Sequence, residues 1–142
     1  MLKGIPNIIS PELLKILMEM GHGDEIVIAD GNFPAASCSK RLVRSDGHGA
    51  VELLKAILQI MPLDSYVKAP VMLMGVVKGD NFEPTIWETY KEIINFNEGK
   101  NVLVDFIERF EFYERAKNAY AIVATSESAL YGNIILKKGV IK

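Results

Sequence analysis

Glu25-Ile26-Val27-Ile28-Ala29-Asp30 is the stretch that decides the fold. Its apolar core is unbroken and rich in β-branched residues. A strand exposed on one face alternates apolar with polar side chains, so an unbroken run marks a strand covered on both faces. The residues before it read as a helix packed against that strand. Ser10 can cap the helix, Pro11 suits its first turn, and Glu12 sits at the positive end of its dipole. Leu13, Leu14, Leu17 and Met18 then recur at helical spacing, and Gly21 supplies a stop. After the strand, residues 31–39 contain Gly, Asn, Pro and Ser and read as a loop.

Further out, the same alternation continues. Leu42-Val43-Arg44 reads as a short strand followed by a turn at Asp46-Gly47. A helix over 50–60 presents Val51, Leu54, Ile57 and Leu58 on one side, with Pro62 closing it. Residues 71–77 form a second fully apolar strand. A helix opens at Pro84 and runs through Ile86, Trp87, Tyr90, Ile93 and Ile94. The spacing then predicts a strand over 102–107, a helix over 110–119 and strands over 121–124 and 133–136. In the 110–119 helix, Phe110, Tyr113 and Ala116 face inward. Buried strands separated by amphipathic helices predict an α/β fold. It is a single three-layer α/β/α domain spanning residues 1–142 around a mostly parallel sheet. No internal repeat or linker divides it.

Composition narrows the function classes. The 142 residues include 16 basic and 18 acidic ones, and 49% are hydrophobic. A chain of this length can bury one core without covalent staples. The net charge of −2 gives no basic field, so nucleic acid is not an expected partner. Apolar runs such as residues 70–77 are far too short to span a bilayer, so no membrane is expected either. Cys38 is the only cysteine, which rules out an internal disulfide framework and a cysteine zinc cluster. Pro6, Asn7, Ser10 and Pro11 interrupt the first residues, which therefore do not read as a signal peptide. The expectation is a soluble, cytoplasmic protein.

In an open parallel sheet, ligands bind beyond the carboxyl ends of the strands. Asp30 and Arg109 fall at such ends and share one rim, and Tyr131-Gly132-Asn133 lies just before the final strand. His22, in Gly21-His22-Gly23-Asp24, precedes the strand that Asp30 ends. Eight extended residues span roughly 25 Å, so the two do not meet on this reading. A shorter strand, a bend in the chain or a second subunit would be needed to join them.

Each residue carries two readings. The imidazole of His22 can exchange protons near neutrality, or it can sit in an ordinary helix-ending turn. Asp30 can bind a hydroxyl or act as a base, yet Asp-Gly is also common turn chemistry. Arg109 and Arg115 flank Glu111 and Glu114 and can be explained by ion pairing on a helix surface. Tyr131-Gly132-Asn133 is a turn signal as well as a polar group, and His48 reads as a turn residue. Phe110, Phe112 and Tyr113 read as core. There is no phosphate loop, no nucleophile elbow and no helical pair of histidines, and Gly21-x-Gly23 lacks the third glycine of a dinucleotide fingerprint. Neither a metal nor a cofactor is expected.

Several blocks together carry a further signal. They are Leu2–Pro6, Ile9–Leu14, Met20–Val27, Ala29–Ala35, Arg44–Gly47, Leu63–Tyr66, Glu108–Ala116, Ala124–Glu127 and Tyr131–Gly139. In order and spacing this set resembles the RbsD/FucU family, in its L-fucose mutarotase branch. Gly-His-Gly-Asp at 21–24 and Phe-Tyr-Glu-Arg-Ala at 112–116 favour that branch over the ribose pyranases. Asn32 and Ala36 stand where some bacterial members carry histidines, so any role of those histidines is absent here.

The resemblance implies an enzyme that interconverts the α and β anomers of L-fucopyranose without metal or organic cofactor. It implies His22 as proton donor, with Asp30, Arg109, Tyr131, Gly132 and Asn133 binding the sugar. It also implies a homo-oligomer, commonly a decameric ring, with sites close to subunit contacts. Two alternatives remain at this level. One is an activity like that of D-ribose pyranase; the other is a sugar-binding or transport-accessory protein without catalysis.

Overall fold

The computed structural model describes residues 1–99 and 101–142. In chain order the elements are α1 (Pro11–Glu19), β1 (Glu25–Ala29), α2 (Ala35–Cys38), β2 (Leu42–Ser45), α3 (Ala50–Leu58) and β3 (Val71–Met74). They continue with α4 (Ile86–Glu98), β4 (Val104–Ile107), α5 (Arg109–Asn118), β5 (Ala121–Thr125) and β6 (Ile134–Lys137). One six-stranded sheet runs in the order β2-β5-β1-β6-β3-β4. The pairs β1–β5, β2–β5 and β3–β4 are parallel, and β6 runs antiparallel to both its neighbours, β1 and β3. The mostly parallel expectation holds, with the exception at the middle of the sheet.

The unbroken apolar run in β1 has the predicted cause. Ile26 and Ile28 point into a core shared with Leu13 and Leu17 of α1, Leu53, Leu54 and Ile57 of α3, and Tyr90 and Ile94 of α4. Val27 and Ala29 point to the other face, into a smaller cluster with Phe33, Ala35, Phe112 and Ala116. The strand is therefore the middle layer of three. Ser10 caps α1 as expected, its hydroxyl accepting the Leu13 N–H at 3.1 Å.

Three elements and one helix face differ from the sequence reading. Residues 31–39 contain the short helix α2. The apolar run 71–77 leaves the sheet after Met74, where the Gly75 N–H donates to the Ile107 carbonyl and the chain turns away. Helix α4 starts at Ile86, behind Thr85, rather than at Pro84. In α5 it is Phe112 and Ala116 that are buried, whereas Phe110 is 67% exposed and Tyr113 only half-buried. The reason is helix phase. Glu108 caps α5, accepting the N–H groups of Phe110 and Glu111, and positions 112 and 116, one turn apart, then face the sheet. Among the described residues no helix is long and apolar enough to cross a membrane.

Candidate active site

A cleft of about 310 Å³ opens beyond the carboxyl ends of β1, β3 and β4. Because β6 is antiparallel, its beginning arrives at this same edge. Asp30, Arg109, Tyr131 and Asn133 all line the cleft, joined by Asn32, Phe33, Met74, Val77, Asp80, Tyr113 and Leu130. Strand direction thus brings Asp30 and Arg109 to one rim, and the turn before β6 adds Tyr131 and Asn133.

Asp30 and Asn133 are both buried and form a paired unit. The Asp30 N–H donates to Asn133 Oδ1 at 2.8 Å, and Asn133 Nδ2 donates back to Asp30 Oδ2 at 2.8 Å. The Asn32 N–H donates to Asp30 Oδ1 at 3.0 Å. Burial pushes the Asp30 carboxyl up from its ordinary value, while these hydrogen bonds pull the other way. Gly132 does not line the cleft. It is packed behind it, where a Cβ would come within 3.0 Å of the Ala129 carbonyl and 3.2 Å of Glu127 Cγ. Its carbonyl accepts the buried Tyr90 hydroxyl at 2.7 Å, which pins the loop to α4.

Arg109 and Arg115 part company. Arg115 reaches β1 and clamps Glu25 with two bonds of 3.0 and 2.6 Å, a structural ion pair. Arg109 donates through Nε to the Tyr113 hydroxyl at 3.1 Å, with its guanidinium above the Phe110 and Tyr113 rings. Its terminal nitrogens have no protein acceptor among the described residues, so they remain available to a ligand. The ion-pairing reading thus fits Arg115 and fails for Arg109. Likewise Tyr113, read from sequence as core, lines the cleft and supports Arg109.

His22 lies elsewhere. It sits beyond the amino end of β1, whose five residues separate it from the cleft by roughly 16 Å of strand. Its Nε2 stands 3.1 Å from Asp64 Oδ1, and its ring rests against Tyr66 with centroids 5.5 Å apart. Asp64 is buried and also accepts the Tyr66 N–H at 2.9 Å, which with the neighbouring His22 holds its carboxyl below the usual value. The Asp64 N–H donates to the Lys137 carbonyl, and the Gly23 N–H to the Lys138 carbonyl. This end is tightly closed. A Cβ on Gly139 would lie 2.3 Å from the Leu63 carbonyl oxygen. The other histidine, His48, faces Glu52 on the surface in a turn.

Sequence reasoning missed Asp64 and Asp80. Asp64 lay within the Leu63–Tyr66 block, where its order in the chain gave no hint of a histidine 42 positions away. Asp80 lies in an irregular segment without periodicity. Among the described residues no three His, Cys, Asp or Glu side chains cluster as a metal site would require.

The cleft offers two carboxylates, a guanidinium, two amides and two phenols beside apolar walls from Phe33, Met74, Val77 and Leu130. Such a set suits a small neutral polyol with one apolar edge. A family model, the RbsD / FucU transport protein family, matches residues 3–141. The chain belongs to the RbsD/FucU family. Within it, the L-fucose mutarotase of Actinobacillus pleuropneumoniae serotype 5b is 51% identical over 140 residues, 99% of this chain and 97% of that protein. The human fucose mutarotase is 51% identical over 146 residues, 99% of this chain and 94% of that one. A crystal structure of the fucose mutarotase from Streptococcus pneumoniae in complex with L-fucose has 56% identity and a TM-score of 0.94. It covers 99% of this chain and 100% of its own.

Proposed function

We propose that this RbsD/FucU chain is an L-fucose mutarotase, one domain per chain, that interconverts the α and β anomers of L-fucopyranose. The observation that carries the reading is the convergence of Asp30, Arg109, Tyr131 and Asn133 on one cleft, in a fold shared end to end with a mutarotase crystallised with L-fucose. Asp30 and Asn133 accept and donate to sugar hydroxyls from a rigid pair, Arg109 donates from its free terminal nitrogens, and Gly132 shapes the loop that presents Tyr131. The methyl group of a 6-deoxy sugar suits the apolar wall.

Changing anomers requires opening the ring, rotating about C1–C2 and closing on the other face. The ring oxygen must gain a proton and the anomeric hydroxyl must lose one. His22 is the donor in this reading, its ring held by Asp64 and Tyr66. A positioned acid or base of this kind contributes about 10²–10⁴-fold. Because His22 and the cleft lie at opposite ends of one strand, the donor comes from a second copy of the chain. A homo-oligomeric ring, such as a decamer, provides that arrangement. Exposed Phe82, Phe106, Phe110 and Leu130 beside the cleft offer apolar surface for such a neighbour. The expected location is the cytoplasm, and no cofactor enters the reaction.

Saturation-transfer NMR on equilibrated L-fucose tests the assignment. Exchange between the anomer signals well above the buffer rate is expected. Binding without acceleration would leave a sugar-binding protein, and faster exchange of D-ribose than of L-fucose would reassign the substrate.

A further inference from the structure

The ring-opening step needs a group to take the proton of the anomeric hydroxyl, and the irregular segment after β3 supplies one. Gly79, at φ 94°, turns the chain so that the Asp80 N–H donates to the Val77 carbonyl at 3.0 Å. The Phe82 N–H in turn donates to Asp80 Oδ1 at 3.1 Å, fixing the carboxylate. This leaves Oδ2 aimed at Tyr131, whose phenol donates to it at 2.6 Å. The Phe82 ring stacks on Tyr131 at 5.9 Å, and the Val77 N–H approaches the phenol oxygen at 3.4 Å. The phenol is held from three sides.

The backbone points the same way. Tyr131 has φ 59°, the left-handed region, which a bulky residue rarely occupies and which costs on the order of 1 kcal/mol or more. Glycine would relieve that strain but would remove the side chain that reaches Asp80 and the cleft.

Counting valences assigns the roles. A phenol oxygen has one proton and two lone pairs. The proton goes to Asp80 and one lone pair faces the Val77 N–H, so one lone pair remains for a sugar hydroxyl. Asp30 differs in its donors. Its Oδ1 accepts the Asn32 N–H and its Oδ2 accepts Asn133 Nδ2, amide groups that relay no proton, which suits it to fixing a hydroxyl.

We infer that Asp80 acts through Tyr131 as the second proton-transfer unit of the mutarotation. This rests on the mutarotase reading. In ring opening, the anomeric O–H proton passes to the Tyr131 oxygen as the Tyr131 proton passes to the Asp80 carboxylate. The electron pair left on the anomeric oxygen forms C1=O, the C1–O5 bond breaks, and O5 takes the proton from His22. Asp80 ends neutral and His22 ends as neutral imidazole; ring closure reverses every transfer. Asp80 is thus a positioning residue and proton sink, and Tyr131 touches the sugar.

The test compares Asp80→Asn, Tyr131→Phe and the double variant with the unsubstituted protein. Anomer exchange is read by saturation-transfer NMR at saturating L-fucose, and affinity by titration calorimetry. Asp80→Asn keeps an oxygen for the phenol but cannot take the proton. Asp80→Asn is expected to lose about 10²-fold in maximal exchange with Kd changed by less than about threefold, and Tyr131→Phe to lose as much in maximal exchange while also weakening Kd, because it removes a bond to a sugar hydroxyl. The double variant should be no slower than Tyr131→Phe, because residues acting as one unit are not additive. Near-normal maximal exchange in Asp80→Asn, or a weakened Kd with maximal exchange kept, overturns the relay while leaving the mutarotase reading intact. Absence of exchange by the unsubstituted protein overturns both.

Discussion

Replacing Asn133 with Ala probes the buried Asp30–Asn133 pair, which ties the residue before β6 to the cleft. Asn133 is 4% exposed and holds Asp30 with two bonds of 2.8 Å. Its loss orphans the buried Asp30 N–H, at a cost of about 1–3 kcal/mol, and removes a charge-assisted bond of about 1.5–3 kcal/mol. The cleft is open, so water can replace part of the second contribution, and the expected loss is about 2–4 kcal/mol. For a domain of this size that corresponds to a Tm lowered by roughly 6–12 °C. Urea denaturation at fixed protein concentration reads the loss directly. Asn133→Asp sharpens the prediction. It sets a second carboxylate against Asp30, whose own carboxyl is already raised by burial. The native pair then binds a proton that the unfolded chain releases at ordinary carboxylate values. Native protein holds more protons than unfolded chain in that window, so stability falls as pH rises. Asn133→Asp should therefore recover between pH 7 and pH 5, relative to the unsubstituted protein, and Asn133→Ala should not. A loss below about 1 kcal/mol in Asn133→Ala would refute the claim that this pair is both buried and dry enough to matter.

Other perturbations address both ends of the sheet. His22→Ala and Arg109→Ala should each abolish most exchange, the second chiefly by weakening sugar affinity. Co-refolded in equal amounts they should regain about one quarter of the sites, because that share pairs an intact cleft with a neighbour's intact histidine; no recovery in the exchange assay would argue that each copy works alone. Gly139→Ala forces a Cβ against the Leu63 carbonyl, and about 1–3 kcal/mol of stability should be lost by urea denaturation together with anomer exchange. The Asp64 carboxyl is held down, first by the Tyr66 N–H, so its stabilisation is complete above the unfolded carboxylate value and is lost as pH falls through the lower native one. Asp64→Asn should therefore show a shallower fall of stability between pH 5 and pH 3, as read by urea midpoints.

The sheet was legible in sequence because burial on both faces leaves an unbroken apolar signature, and β1 and β5 carry it in full. The cleft was half legible. Asp30 and Arg109 follow strands, so strand direction alone puts them on one rim. Tyr131 and Asn133 stood out as a polar group before the final strand, but they reach that rim only because β6 runs antiparallel, which no local pattern encodes. The inward face of α5 was misread because three aromatic residues in four positions leave the helix phase open, and it is the Glu108 cap that sets it. Asp80 and Asp64 were invisible for a simpler reason. Each acts on a residue more than 40 positions away through a bond that depends on the folded sheet.

Strand β6 also acts as a gauge. Its leading end delivers Asn133 to the cleft, and at its trailing end the carbonyls of Lys137 and Lys138 bind the backbone of Asp64 and Gly23, next to His22. The distance between the cleft and the His22 end is therefore set by four residues pairing in fixed register with β1 and β3. A single inserted residue in this strand would turn its buried side chains to the wrong faces and shift both ends at once. In the ring proposed above, where one copy's cleft meets a neighbour's His22, the length of this short strand would fix the offset between successive copies.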